Sequence, residues 1–376
     1  MQKTTNNYFC VMPFVHLHIN EDDQIKPCCY GTPIKQYNDS FDYVNDSDLN
    51  LIRKNMLEGK PVPHCENCYN VEREGGKSYR QRNNEEWDHC EEPNLVYYDI
   101  RNDNTCNLLC RMCHPGASSQ IEKEYKEIGW KWHINPRKYK LTDVVNINTI
   151  EKLFVAGGEP TLMPEFVDFL ERAIEQKRTD IALRISTNAT NINKKIFNLL
   201  KEFKDIEFTV SIDGYDQVNK YIRWPSDWNA ITNNIHKLYE ITPNISFNVT
   251  VSMWNIGNLS NLIFYLEKTY PPPPTIFLNE AMAIPYSDAT PFNYPDKQLA
   301  LTDLINMKKS ISYQTEDFFR NKLDYFINKL EKTNLDYDKL KEFFVYNDKL
   351  DQSRQIALKD YIPELEQCRN YLTKQI

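Results

Sequence analysis

Three cysteines stand together as Cys106, Cys110 and Cys113, separated by three residues and then by two. Thiolates at this spacing can share one iron–sulfur cluster. Each iron of a 4Fe–4S cube takes one outside ligand, and clusters that only carry electrons normally receive four cysteines. Three ligands on one short loop leave one iron open to bind and activate another molecule. A CxxC pair also fits zinc, which takes four Cys or His ligands as a tetrahedron. His114 follows Cys113 directly. Neighbours in sequence rarely present both side chains to one tetrahedral metal, so the cluster is the favoured reading.

A second set lies nearer the start: Cys10, Cys28, Cys65 and Cys68. Val15, Leu17 and Ile19 alternate with His16, His18 and Asn20, the period of a strand. Glu21, Asp22 and Asp23 can turn that strand into a hairpin, which Cys10 and Cys28 then bracket. Four thiolates from two stretches complete a ligand set for either an iron–sulfur cluster or a structural zinc. Cys29, Cys90 and Cys368 are left over. They read as buried free thiols, with an extra cluster ligand or a hydrogen-atom donor as the alternative. His64 reads as a neighbour of Cys65 rather than a ligand.

The elements that must position these residues follow from composition and pattern. At 376 residues, 41% of them hydrophobic, the chain can bury a large core and more than one domain is expected. No apolar run reaches the length of a membrane span, and the start lacks the pattern of a secretory signal. A cytoplasmic setting is expected, and ten cysteines there point to metal or catalysis. The net charge of −8 argues against general nucleic-acid binding. Residues 129–140 are a local exception, with four Lys or Arg, three large aromatics and no acid. They read as a solvated loop or a substrate-contacting one.

Residues 95–101, 152–156, 181–187, 206–212, 246–253 and 275–280 read as strands. Between them, 118–128, 164–176, 193–203, 227–239 and 259–268 read as helices. Pro164 suits a first helical turn and Asp227 a cap. The prolines at 271–274 mark a stiff connection. Such alternation predicts an α/β fold with parallel strands, curling into a partial (β/α)6 TIM-like barrel whose sites lie at the strand C-terminal ends. The motifs fall there: the cysteine loop, then Gly157-Gly158-Glu159, then Ser186 and Asn188, then Ser211 and Asp213. Residues 1–92 look poor in helix, and the stretch from about 294 onward looks helical and charged.

These positions, in this order, resemble the radical SAM superfamily. The resemblance implies that Cys106, Cys110 and Cys113 ligate a 4Fe–4S cluster whose open iron chelates S-adenosylmethionine (SAM). Reductive cleavage of SAM to a 5′-deoxyadenosyl radical is the implied activity. By the same resemblance the backbone of Gly157, Gly158 and Glu159 receives the SAM amino group. Ser186, Asn188, Ser211 and Asp213 are implied polar contacts of SAM, and Arg223 a partner of its carboxylate. Met112 departs from the aromatic usual before the third cysteine, and Ala189 from the usual glycine.

The first cysteine set resembles a SPASM/twitch module with an auxiliary 4Fe–4S cluster. That pattern has a glycine five residues before its second cysteine. Asp23 stands there for Cys28 and tolerates a left-handed turn, so Cys28 is favoured over Cys29. The implied division is an auxiliary-cluster module at 1–92, a barrel at 93–285 and a helical extension at 286–376. A reductant such as flavodoxin or ferredoxin is the implied partner. The implied substrate is a peptide or protein side chain, with a small molecule, nucleotide or RNA as the alternative. A non-catalytic cysteine-rich metal scaffold is the alternative from another class.

Overall fold

A computed structural model describes residues 7–372 apart from 102, 133–139, 271–272, 283, 285 and 312–316. Most of the basic–aromatic stretch and half of the proline run therefore lie outside the described residues. Among the described residues eleven strands follow one another. They are β1 His16–Ile19, β2 Gln24–Lys26, β3 Lys35–Gln36, β4 Tyr97–Ile100, β5 Leu109–Cys110, β6 Lys152–Val155, β7 Ala182–Thr187, β8 Ile206–Ser211, β9 Arg223–Trp224, β10 Ile245–Val251 and β11 Thr275–Glu280. The residues form two compact units. One comprises Met1–Thr105, His133–Ser186 and Asn193–Ile206; the other Cys106–Trp132, Thr187–Ile192 and Glu207–Ile376. Both draw on the predicted barrel segment.

In the first unit β1, β4, β6 and β7 run parallel, with His18 opposite Asp99, Asp99 opposite Phe154 and Leu153 opposite Leu183. β2 returns antiparallel to β1 through a turn in which Asp23 adopts φ 57°, and β3 pairs antiparallel with β2. One face of the parallel strands is apolar and buried: Tyr98, Ile100, Leu153, Val155, Leu183 and Ile185. The alternate face carries His16, His18, Tyr97, Asp99, Phe154 and Ser186. The alternation in β1 predicts a strand, and a strand is observed. All four of its residues are buried, and it is flanked by β4 and β2. His18 Nδ1 stands 2.8 Å from an Asp99 oxygen.

The expectation of little helix before residue 92 is corrected. Helices span Ser47–Leu57, Glu66–Arg73 and Tyr79–Glu86. The last has almost no apolar face, so periodicity cannot reveal it. It begins with a reciprocal capping box between Ser78 and Gln81. Its buried Arg80 donates to the Phe9 carbonyl at 2.7 Å and pairs with Glu72, so tertiary contacts fix it.

In the second unit β8, β10 and β11 are parallel, and β5 and β9 form a two-residue antiparallel pair. Helices Ser119–Ile128 and Trp228–Tyr239 begin at the caps Ser118 and Asp227, whose side chains accept from Ile121 N and Ala230 N. The predicted helical tail consists of Lys297–Ser310, Asp317–Lys332, Tyr337–Arg354 and Pro363–Leu372. The α/β class and each predicted strand–helix alternation from 95 to 280 are observed, with ends moved by a few residues. No helix among the described residues is long and apolar enough to cross a membrane.

Candidate metal centres

Cys106, Cys110 and Cys113 are all half-buried on one loop of the second unit. Each stretch of that loop is tied down. Cys106 N donates to Ser119 Oγ at 3.3 Å, and Ser118 Oγ donates to the Leu108 carbonyl at 2.9 Å. Cys110 is in β5, opposite Arg223 of β9. Cys113 N closes a turn onto the Cys110 carbonyl at 3.1 Å. The sulfurs also face N–H groups. Leu108 N lies 3.5 Å and Asn188 Nδ2 4.0 Å from Cys106 Sγ, and Arg223 Nη1 lies 4.0 Å from Cys110 Sγ. N–H donors at thiolate sulfur stabilise the anionic form and tune the potential of a cluster that it ligates.

The thiols are costly to ionise as they stand. Burial raises the Cys110 pKa to about 12; Arg223 opposes the shift, while Cys106 and Asp213 add to it. Burial likewise raises Cys113, helped by Cys110 and Cys106. Thiolates crowded in a dry loop repel one another, and a bound cation reverses that balance. An iron–sulfur cluster therefore fits this donor set chemically. Among the described residues no group of three or more His, Cys, Asp or Glu side chains is gathered closely enough to hold a single metal ion as it stands.

Asp213 and Arg223 come together as a buried pair, with Arg223 Nε 2.5 Å from Asp213 Oδ2. Burial disfavours the guanidinium, but Asp213 and Cys110 outweigh it and raise the Arg223 pKa. Asp213 Oδ1 accepts from Thr250 N at 2.7 Å. Both carboxylate oxygens are thus engaged inside the protein, and Arg223 is no surface ion pair. Asp213→Asn leaves that guanidinium without its counter-charge, which costs about 3–5 kcal/mol for a buried pair. A clear drop in the thermal unfolding midpoint is expected. The exposed Asp348–Arg369 pair provides the comparison, since breaking it should change the midpoint little.

Asn188 is buried; its amide donates to Asn107 Oδ1 at 3.2 Å and its carbonyl accepts from Thr190. It is placed beside Cys106. Ser211 is half-buried at the end of β8.

The Gly157-Gly158-Glu159 turn and Ser186 belong to the first unit. Gly157 has φ 129°, and a Cβ there would approach the Asp103 carbonyl to 2.7 Å. A Cβ on Gly158 would lie 2.1 Å from the Thr105 oxygen. Glycine is required because the segment after β6 runs flush against residues 103–105, with Glu159 N donating to the Thr105 carbonyl at 2.7 Å. The Glu159 side chain is fully buried and accepts from Thr161 N and Oγ1 at 3.2 and 2.7 Å. Its carboxylate caps the following turn. Ser186 is half-buried near the end of β7.

In the same unit Cys10, Cys28, Cys65 and Cys68 line one cavity with Tyr30, Gly31, Tyr79 and Arg80. Cys10, Cys28 and Cys65 belong to a core that includes Phe9, Val11, Phe14, Ile52, Met56 and Tyr69. Burial raises the Cys65 thiol to about 12, and Cys28 and Cys68 raise it further. Burial also raises Cys10, with Cys65 next, and Cys28, with Cys10 next. Four mutually perturbing thiols in one apolar cavity fit a metal or cluster. Cys29 does not line this cavity; burial and the Asp99 carboxylate raise its thiol to about 11. Cys90 Sγ donates to the Glu92 carbonyl. His64 Nδ1 contacts Thr32 Oγ1 at 3.0 Å, consistent with a neighbouring role.

Sequence reasoning passed over Arg111, within the cysteine loop. Its side chain is 0% exposed. It donates to the Tyr221 carbonyl at 2.9 Å and to Asn347 Oδ1 at 3.0 Å, pairs with Asp351, and lies 3.5 Å over the Tyr221 ring. A charged residue between two metal-ligand candidates was the available signal. Its partners lie more than 100 residues away, beyond any local pattern.

Comparison with known proteins finds likenesses centred on the segment that carries this loop. Residues 104–260 match the model of the Radical SAM superfamily. Over that stretch the chain is similar to that superfamily, whose members bind a 4Fe–4S cluster and S-adenosylmethionine. Among curated relatives, the uncharacterized protein MJ0907 of Methanocaldococcus jannaschii is 30% identical over 171 residues, 43% of this chain and 55% of that one. The Fe-coproporphyrin III synthase of Methanosarcina barkeri is 25% identical over 166 residues, 43% of this chain and 39% of that one. The chain thus spans about half, or less, of the length of the curated relatives it matches. A solved structure of anSMEcpe with bound AdoMet aligns with a TM-score of 0.44 at 18% identity, covering 58% of each chain.

Proposed function

We propose that this chain is a radical SAM enzyme whose SAM-cleaving 4Fe–4S cluster is held by Cys106, Cys110 and Cys113. The observation that carries the reading is the three-thiol loop inside the superfamily match, with N–H groups aimed at two of its sulfurs. When bound, the cluster and SAM supply a 5′-deoxyadenosyl radical that takes a hydrogen atom from a substrate.

The chain's own residues have distinct tasks in this reading. The three thiolates leave one iron corner for SAM. Leu108 N, Asn188 and Arg223 offset the negative charge of the sulfurs and favour reduction. The main chain of Gly157, Gly158 and Glu159, held flush against residues 103–105 because the two glycines have no side chains, would receive the SAM amino group, with the Glu159 side chain bracing the turn. Ser186 and Ser211 serve as polar contacts. Asp213 orients Arg223, whose remaining nitrogens suit a carboxylate.

Cys10, Cys28, Cys65 and Cys68 hold an auxiliary 4Fe–4S cluster in a twitch-like module at 1–92, followed by the catalytic segment at 93–285 and the helical extension at 286–376. What supports this ligand set is the shared cavity. The substrate we propose is a peptide or protein side chain, by the twitch resemblance, with flavodoxin or ferredoxin as reductant and a cytoplasmic setting. One observation favours a small-molecule substrate as the second reading: a relative named Fe-coproporphyrin III synthase.

Protein reconstituted without oxygen, reduced and given SAM is expected to release 5′-deoxyadenosine, measured by chromatography. Absence of release from protein carrying its full iron would refute the reading. Deuterium passing from a candidate substrate into 5′-deoxyadenosine then identifies the substrate class.

A further inference from the structure

The cysteine loop is joined to the carboxy-terminal helix Tyr337–Arg354 through one residue. Every polar group of Arg111 is held. Its backbone N donates to the Ile222 carbonyl at 2.8 Å, and its own carbonyl accepts from Tyr346 Oη at 2.7 Å. Its guanidinium engages Asn347, Asp351 and the Tyr221 carbonyl. These partners are braced in turn. Asn347 Oδ1 also accepts from Trp254 Nε1 at 2.8 Å. Asp351 accepts from Tyr221 Oη at 3.1 Å and Leu358 N at 3.0 Å. One turn further along the helix, Arg354 grips Glu124 with two contacts, at 2.8 and 2.7 Å. Glu124 belongs to the helix that follows the loop.

A buried guanidinium persists only where carboxylate and carbonyl acceptors meet its planar fork. Here they fix the residue beside Cys110 and two before Cys113. The tail helix therefore holds the cysteine loop itself. We infer that Arg111 is a positioning residue for the SAM-cleaving cluster, and that Tyr346 and Asp351 of the tail helix set the geometry of Cys110 and Cys113 through it. This rests on the reading of the three cysteines as the cluster site. Residues that orient metal ligands typically change metal affinity by about 10–100-fold when lost.

The test uses the full chain, reconstituted, as Asp351→Asn, Tyr346→Phe and the control Asp348→Asn. Asp348 lies on the same helix but pairs at the surface with Arg369. Two quantities are followed: iron released to a chelator, and the electron paramagnetic resonance signal of the reduced protein that changes when SAM is added. With free iron held well below saturation, Asp351→Asn is expected to lose about 90% of the SAM-responsive signal, as a tenfold loss of affinity implies. Tyr346→Phe should release iron faster than wild type, with only the modest drop in melting temperature of the metal-free chain that loss of one buried hydrogen bond brings. Asp348→Asn should match wild type in both.

Wild-type chelation and signal in Tyr346→Phe and Asp351→Asn would overturn the inference. A lowered melting temperature with an unchanged signal would too, since it would mark a purely structural role. If Asp351→Asn does not fold, Tyr346→Phe decides. A wild-type protein with no SAM-responsive signal would refute the cluster reading itself, and this inference with it.

Discussion

Replacing Cys106, Cys110 and Cys113 together by alanine should abolish 5′-deoxyadenosine release, reducing it to background, while iron remains in the amino-terminal site. The loss is expected to be complete because, in the proposed reading, the three thiolates supply all the protein's ligands to that cluster, and alanine offers no donor. The framework of the loop does not depend on the sulfurs. It is held by Ser118, Ser119, Arg111 and the β5–β9 pair, so the variant should still fold. Far-ultraviolet circular dichroism and the unfolding midpoint check that point. The residual iron per chain checks the other site. SAM cleavage surviving in the triple variant would place the chemistry elsewhere.

The second large effect concerns Cys65 and Cys68. Changing both to alanine should lower the iron content from about eight to about four per chain, the difference being one 4Fe–4S cluster. The remaining brown protein should still cleave SAM without a substrate, because the cleaving site keeps all its ligands. Coupled turnover should fail if the auxiliary cluster handles substrate or its electron. Alanine is the suitable replacement, since Cys65 belongs to a core with Phe14, Ile52 and Tyr69 and a polar group there would go unpaired. Metal analysis of the wild type separates the alternatives: about four irons with one zinc would make this site a structural knuckle. Complete loss of SAM cleavage in a folded Cys65/Cys68 variant would show that the two sites are interdependent.

Much of this was readable from residues alone, for a physical reason. Strands and helices of an α/β segment carry their period locally, so β4, β6, β7, β8, β10 and β11 and the helices between them stood out. Caps such as Ser118 and Asp227, and Pro164 in a first turn, are likewise short-range signals. The cysteine spacing is chemistry written in sequence. The choice of Cys28 over Cys29 followed from the left-handed tolerance of Asp23, which adopts φ 57°, and Cys28 lines the cavity of the other three.

What escaped the linear reading depends on distant partners. The alternation of β1 marked a strand, but the burial of both its faces, His16 and His18 included, depends on residues far from it in sequence. The helix Tyr79–Glu86 carries no apolar stripe, and its burial is secured by Arg80 reaching Phe9 and Glu72. Asp213 was legible as a motif residue, but its pairing with Arg223 was not.

Residue types and short spacings thus pointed to the proposed chemistry and determined the order of elements, because hydrogen-bond periods and ligand counts are local properties. Which buried charges meet was settled by folding. Arg111 and Asp351 are 240 residues apart, and no local preference of either specifies the other. A desolvated guanidinium accepts only the arrangement in which every donor finds a partner, and that condition exists once the tail helix lies against the metal loop.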